Sequence, residues 1–388
     1  MSFELKALKD ICTIQIGKTP SRHECDYWRD GTHAWLSIAD MNQGRYLNNT
    51  KEYITDLGVK ASNIKLIPKN TLVLSYKLSI GKVGITQKPM YTNEAIASLT
   101  ELDSQVDINY LYWALQHIDL LENADRAAMG KTLNKAKLSE VKIPLPPLEE
   151  QRRIASILDQ ADELRQKRQQ AIEKLDQLLQ ATFIDMFGDP VSNPKGWNLG
   201  KLGDVIHSAK DGPHVSPSYS ETGIPFLSTR HVRAGKIVWG DLKFITEEDA
   251  QIHWKKCKPT RGDILYTKGG TTGLAAVVDT DLDFAVWVHV ALLKTNHDKV
   301  RSEWLVSMLN TQYCYEQSQR YTHGIANRDL GLKRMVNIEM YIPPLNEQDK
   351  FVNFKNKLLK NNLLFESSYS SLEQLFKSLQ NQAFNGTL

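Results

Sequence analysis

The chain has 388 residues, 41% of them hydrophobic and 24% charged, enough to bury two or three globular cores. A formal net charge of +3 is too small to declare a nucleic-acid partner by itself, so local clustering has to decide that question. No run of about 18 apolar residues occurs, and the opening MSFELKALKD lacks a basic-then-apolar leader, which predicts a cytoplasmic protein without a membrane partner. The four scattered cysteines form no CxxC pair and predict reduced thiols.

In chain order, short apolar runs bounded by turn residues predict strands at 34–38, 71–76, 83–86 and 95–99, and a helix at 109–117. Four lysines between Lys131 and Lys142 make a locally basic stretch. Pro146-Pro147-Leu148-Glu149-Glu150-Gln151 then opens a long helix: prolines suit the entry, and acids suit the positive end of the helix dipole. A heptad with Ile154, Ala161, Arg168, Leu175 and Thr182 at a, and Ile157, Leu164, Ala171 and Leu178 at d, carries it onward. Gly188-Asp189-Pro190 to Gly196 reads as a linker. Strands follow at 224–228, 263–267, 275–278 and 286–293, a helix at 302–309, and a second long helix from Pro343-Pro344-Leu345-Asn346-Glu347-Gln348.

The second half repeats the first. Leu8-Lys9-Asp10-Ile11 matches Leu202-Gly203-Asp204-Val205, Pro68 to Leu74 matches Pro259 to Leu265, and the two PPL-x-E-Q segments match each other. Offsets between 191 and 197 residues describe a collinear duplication with small loop insertions. At 197 the heptad recurs as Phe351, Leu358, Phe365, Leu372 and Leu379 at a. At d stand Phe354 and Leu375, with Asn361 and Ser368 breaking the seam. Two helices of about 35 residues, roughly 50 Å each, are therefore predicted to pair antiparallel as a coiled coil. The expected fold class is α+β: two mixed sheet-and-helix domains alternating with two long helices in a pseudo-twofold internal duplication.

Glycine-bearing loops recur between matched strands. Tyr76 to Gly84 faces Thr267 to Leu274, and Gly17-Lys18-Thr19-Pro20-Ser21-Arg22 faces Lys210-Asp211-Gly212-Pro213-His214. Glycine, hydroxyl and lysine together suit phosphate oxygens. Catalytic signatures are missing. Gly17-Lys18, Gly81-Lys82, Gly130-Lys131 and Gly235-Lys236 all lack the earlier glycine of a nucleotide-binding loop. Glu140-Val141-Lys142 with Asp125 hints at a nuclease, but Arg334 stands opposite Glu140 in the second copy. His253 and Cys257 have metal-ligand spacing without a second ligand pair, so no metal is expected. Asn193-Pro194-Lys195-Gly196 lacks the second proline and aromatic of an amino-methylation loop.

The ordered repeat, the two PPL-x-E-Q helix starts and Asn193-Pro194-Lys195-Gly196-Trp197 leading to Leu202-Gly203-Asp204 resemble the specificity subunit of Type I restriction-modification systems, over Leu5 to about Thr387. The resemblance implies a first target-recognition domain at 1–147, a spacer helix at 148–187, a linker at 188–197, a second recognition domain at 198–344 and a second spacer helix at 345–388. Each domain would read one half of a split site in double-stranded DNA, with the helices fixing the gap. It also implies two modification (methyltransferase) subunits and restriction (translocase-nuclease) subunits as partners. S-adenosylmethionine, ATP and Mg would sit in those partners, with no cofactor and no catalytic residue here.

The expected DNA contacts are Lys18, Thr19, Arg22, Lys77, Lys82 and Lys131 in the first domain, and His214, Arg230, His231, Lys268, Thr271, Thr272 and Arg328 in the second. Glu150, Gln151, Glu347 and Gln348 are the expected partner contacts, with plain helix capping as the competing role. A free-standing DNA-binding regulator is the alternative reading, and a protein-binding coiled-coil scaffold a third. The regulator would bind its site tightly alone, and the scaffold would leave the glycine and lysine loops idle.

Overall fold

The computed structural model describes residues 3–77, 79–120, 125–127, 130–324 and 328–388; of 125–127, 130–132 and 363 it describes the backbone only. The chain divides into two compact units, one made of Met1–Gln170 and Ser367–Leu388, the other of Ala171–Glu366. Each unit thus contains the start of one long helix and the end of the other.

The first unit is built on a five-stranded sheet in the order Thr13–Ile16, Ile96–Thr100, Leu72–Ser75, Val83–Thr86, Tyr46–Leu47. Leu72–Ser75 is buried along its whole length, which is why it reads as a continuous apolar run rather than an alternation. A three-stranded sheet, Glu52–Ile54, His33–Leu36, Tyr91–Thr92, lies in the same unit. Helix Ile108–His117 is started by the Asp107 carboxylate, which accepts from the Asn109 and Tyr110 amides. It buries Tyr110, Leu111 and Trp113 with Leu8, Leu72 and Leu99.

The second unit repeats the order of four of the five strands, Ile206–Asp211, Val290–Thr295, Ile264–Thr267, Ala275–Val277 in one sheet, and the three-stranded order as Lys243–Ile245, Ile224–Leu227, Ala285–Val286 in the other, where Tyr219–Ser220 is added at the edge. The single strand expected at 286–293 is in fact two, Ala285–Val286 and Val290–Thr295. A turn closed by Val290 N–H on the Trp287 carbonyl carries the chain from one sheet to the other. Of the helices that escaped the sequence reading, the longest are Glu247–Cys257 and Gln312–Tyr321. The first had legible signals: the Thr246 cap, three acids in the first turn, and Lys255 and Lys256 in the last.

The ends of each repeat are clasped. Leu5–Ala7 pairs with Lys142–Pro144, and Asn198–Lys201 with Glu339–Ile342, both antiparallel. The segment after Phe187 is a packed joint. Lys195 donates to the last-turn carbonyls of Asp185 and Met186, Trp197 Nε1 to that of Phe187, and the Tyr341 hydroxyl to that of Gly188.

The long helices run Leu148–Phe187 and Leu345–Asn385, 40 and 41 residues, each about 60 Å long. Their sheltered stripe corrects the heptad. The a positions are buried or half-buried, but the second row is Leu158, Arg165, Ile172, Leu179 and Met186, one residue beyond the expected d positions. Leu164 and Leu178 point to solvent. At an offset of 197 the second helix shows the same shift, to Lys355, Asn362, Tyr369, Phe376 and Ala383, leaving Leu375 exposed. A row at a and e fits the hydrophobic pattern as well as one at a and d, and packing on the domains selects it. Within the first unit, Phe384 packs on Tyr110 and His117 and Phe376 on Trp113; Arg165 bridges to Glu373 and Arg153 donates to the Leu388 carbonyl, each at 2.9 Å, so the two helix segments there run in opposite directions. Within the second, Phe183 and Phe187 meet Phe351 and Trp304.

Candidate nucleic-acid interface

Both units close one loop by the same three hydrogen bonds. In the first, Ser75 N–H donates to the Lys82 carbonyl, Gly81 N–H to the Ser75 carbonyl and Lys82 N–H to Ser75 Oγ, each at 2.9 Å. In the second, Thr267, Gly273 and Leu274 N–H make the corresponding bonds at 2.9, 3.0 and 2.9 Å. Gly81 and Gly273 have φ of +95° and +96°, which a side chain would strain. These bonds put Tyr76 opposite Lys268 and Lys82 opposite Leu274. The lysines of the two loops are therefore not equivalent.

A second loop lies beside the first. Gly17 and Gly212 pass so near the neighbouring chain that a Cβ at either would come within 2.2 Å of a carbonyl oxygen, of Thr92 or Asn93 in one unit and of Val286 in the other. The residues just before them, Ile16 and Asp211, pair with Ala97 and Ala291 in matching ladders. In the second unit residues 328–330 join the cluster: Gly270 N–H donates to the Arg328 carbonyl, and Leu330 N–H to that of Lys268.

What fills the matched positions differs. Ile16 packs against the core that includes Tyr76, whose hydroxyl donates to the Glu94 carbonyl. In the second unit the Asp211 carboxylate lies 2.5 Å from Lys256 Nζ and 3.3 Å from Lys268 Nζ, which is 3.1 Å from Asp329. Burial pushes the Asp211 carboxyl up, but the two ammonium groups outweigh it and hold it below the usual aspartate range.

Several expected DNA contacts stand at the surface. Lys18 is exposed, and its carbonyl accepts from Trp35 Nε1. Thr19 donates to Glu94. Arg22 forms a bidentate pair with Glu52 and stacks over Trp28, 3.8 Å from the ring centre. Lys77 lies over Tyr76, and Lys82 donates to Asn42 at 2.7 Å. His214 and Thr271 are exposed, Arg230 pairs with Asp241, and Arg328 donates to Gln319.

Other expected contacts are internal, which corrects the reading of them as base or phosphate contacts. Lys268 is 5% exposed and spent on two carboxylates. Thr272 is buried and bonded to Gln319 and Thr322. His231 is buried, with Nδ1 accepting from the Ser228 amide, and desolvation leads in lowering its pKa. The side chain of Lys131, like that of Asp125, lies outside the described residues. Glu140 is paired with Lys9 at 2.6 Å. His253 is buried edge-on against Phe226, and burial pushes the Cys257 thiol up to about 12.

Gln151 and Gln348 are also corrected, since both are fully buried. Gln151 accepts from the Asp107 amide at 2.8 Å and donates to the carbonyls of Gln105 and Pro146, each at 2.8 Å. Gln348 makes the same clamp on the Arg301 amide and the carbonyls of Lys299 and Pro343. Each glutamine ties the start of a long helix to its domain and has nothing left for a partner. Glu150 and Glu347 remain partly exposed, paired with Arg153 and Lys350 one turn on.

Among the described residues no helix is long and apolar enough to cross a membrane. The model of the Type I restriction modification DNA specificity domain matches this chain twice, over residues 2–174 and 194–374. The chain belongs to this family. It is 27% identical over 316 residues to the Type I restriction enzyme MjaIX specificity subunit of Methanocaldococcus jannaschii, covering 76% of this chain and 72% of that one. It is 24% identical over 343 residues to the MjaVIII specificity subunit of the same organism, covering 81% and 79%. Its fold is similar to that of the Type-I restriction-modification system S subunit from M. genitalium, with a TM-score of 0.57 at 16% identity over 98% of this chain and 96% of that one.

Proposed function

We propose that the chain is the DNA-recognition subunit of a Type I restriction-modification complex, and that each unit reads one half of a bipartite double-stranded site. One observation carries this reading: two equivalent loop clusters on one backbone plan, holding different side chains. Conserved closure with divergent chemistry is what two readers of different words require. Lys18, Thr19, Arg22, Lys77, Lys82 and Lys131 face DNA from the first domain, and His214, Arg230, Thr271 and Arg328 from the second. Lys268, Thr272 and His231 hold the loops from beneath.

The functional division is then recognition domains at 1–147 and 198–344, a joint at 188–197, and spacer helices at 148–187 and 345–388 that pair as an antiparallel coiled coil. The opposed helix segments within the first unit favour that pairing. Two methyltransferase subunits and the restriction subunits dock on the repeated surfaces around Glu150 and Glu347. They supply S-adenosylmethionine, ATP and Mg chemistry in the cytoplasm, while this chain recognises and spaces.

Co-expression with the methyltransferase subunit of its host, followed by genome-wide mapping of methylated adenines, tests the reading. The expected result is co-purification and one split motif. A tagged chain that recovers no methyltransferase yet shifts a specific DNA unaided would instead make it a free-standing regulator.

A further inference from the structure

A groove of about 350 Å³ on the second unit is lined by five lysines, Lys210, Lys255, Lys256, Lys258 and Lys294, around Trp254. Their neutralisation is incomplete. Lys256 and Lys294 are held by Asp211 and Asp263, carboxylates buried beneath the groove, each at 2.5 Å, and Lys258 by Asp283 at 3.0 Å. Lys210 and Lys255 are exposed and have no carboxylate partner among the described residues. Lys258 also lies 4.3 Å from the Trp254 ring centre, a flat surface that steers its ammonium.

The groove is continuous with the loop cluster, because Asp211 bridges Lys256 at the groove to Lys268 under the loops. Three of its lysines are not repeated in the first unit. At the offset of 191 set by Pro68 and Pro259, Lys255 and Lys258 correspond to Ile64 and Ile67, and the strand ladders set Gln15 opposite Lys210. Lys210, Lys255 and Lys258 are thus additions to the shared fold, whereas Lys256 has a counterpart in Lys65. They sit beside the surface that reads bases, where a duplex presents a phosphate every few ångströms.

We propose that Lys210, Lys255 and Lys258 form a phosphate-binding groove that takes the DNA backbone next to the bases read by the second unit. The assignment rests on the DNA-recognition reading above. It makes backbone affinity asymmetric: the second unit holds the duplex electrostatically, and the first relies on its loops.

The test uses the full chain co-purified with its methyltransferase subunits and fluorescence anisotropy with a labelled 30-base-pair duplex across a range of salt. The variant K210A/K255A/K258A should bind matched and scrambled duplexes more weakly by the same factor, about tenfold or more. The slope of log K against log salt should be shallower by about 2 to 3, near 0.9 for each lost phosphate contact. The variant K210R/K255R/K258R should keep most of the slope, and K60A/K65A/K69A on the first unit, equal in charge change, should leave it nearly unaltered. Equal losses in the two alanine variants would reduce the effect to net charge and overturn the groove. So would an unchanged slope in the groove variant, which would redirect these lysines to an acidic protein surface. A wild-type complex without salt-dependent DNA binding would overturn the recognition reading itself.

Discussion

The two units solve one structural problem with opposite chemistry. Under the loop cluster of the first stand Ile16 and Tyr76, an apolar pair; at the same two backbone positions of the second stand Asp211 and Lys268, a buried ion pair extended by Lys256 and Asp329. The ladder register and the loop closure are shared, so the backbone does not depend on what fills the space. Buried pairs stabilise little against apolar residues of similar volume, but losing one member is costly. The second unit therefore carries a network that positions its loops and makes them sensitive to single changes.

The largest expected effect breaks this contrast directly. Lys268→Met alone should cost the second unit about 3 to 5 kcal/mol in urea unfolding, because Asp211 loses a partner inside the fold. D211I/K268Y, which installs the pair of the first unit, should recover most of that loss, since Lys256 and Asp329 can reach water. A double variant no better than the single one would show that the two positions are not interchangeable. The glutamine clamps probe what the units share. Gln151→Leu and Gln348→Leu each leave one amide and two carbonyls without their side-chain partner and should each cost about 2 to 3 kcal/mol. Clearly unequal costs would break the equivalence.

Lys355 should give the smallest effect, and of opposite sign. It stands in the sheltered row where the first helix has Leu158, with Nζ 3.2 Å from the Glu303 carbonyl and 3.0 Å from Ser307 Oγ. Burial lowers its pKa to about 8. A lysine whose folded pKa lies below its unfolded value binds fewer protons in the folded state, so stability rises as pH climbs from about 8 toward 10.5. Lys355→Leu should raise stability by about 1 to 2 kcal/mol at pH 7 and flatten that rise. Unfolding curves at pH 7 and 9.5 that show no gain and no flattening would place a charged amine in contact with water.

Much of the architecture was legible because it repeats. PPL-x-E-Q twice, paired with matched apolar runs, marks helix starts and core strands whatever lies between them. The exact faces of the long helices were not, because a row at a and e and a row at a and d share half their residues, and only docking of Leu158 and Phe376 on the first domain separates them. The candidate site was legible as loops but not as surfaces. Lys268 looks like a free cation in sequence, and the carboxylate that consumes it, Asp211, lies in another loop of similar composition. Gln151 and Gln348 misled for a related reason: a residue repeated at a helix start can serve the fold as readily as a partner. The lysines of helix Glu247–Cys257 went unnoticed because the helix itself did, and their grouping with Lys210 and Lys294 exists only once the strands are laid side by side.

In the proposed function two readers are held at a distance set by two paired helices. Removing seven residues from each long helix, in register and within their middle thirds, shortens the spacer by about 10 Å, the rise of about three base pairs. Methylation mapping of cells carrying that variant with its methyltransferase should return the same two half-sites separated by a shorter gap. The original half-sites at the original spacing would contradict the account.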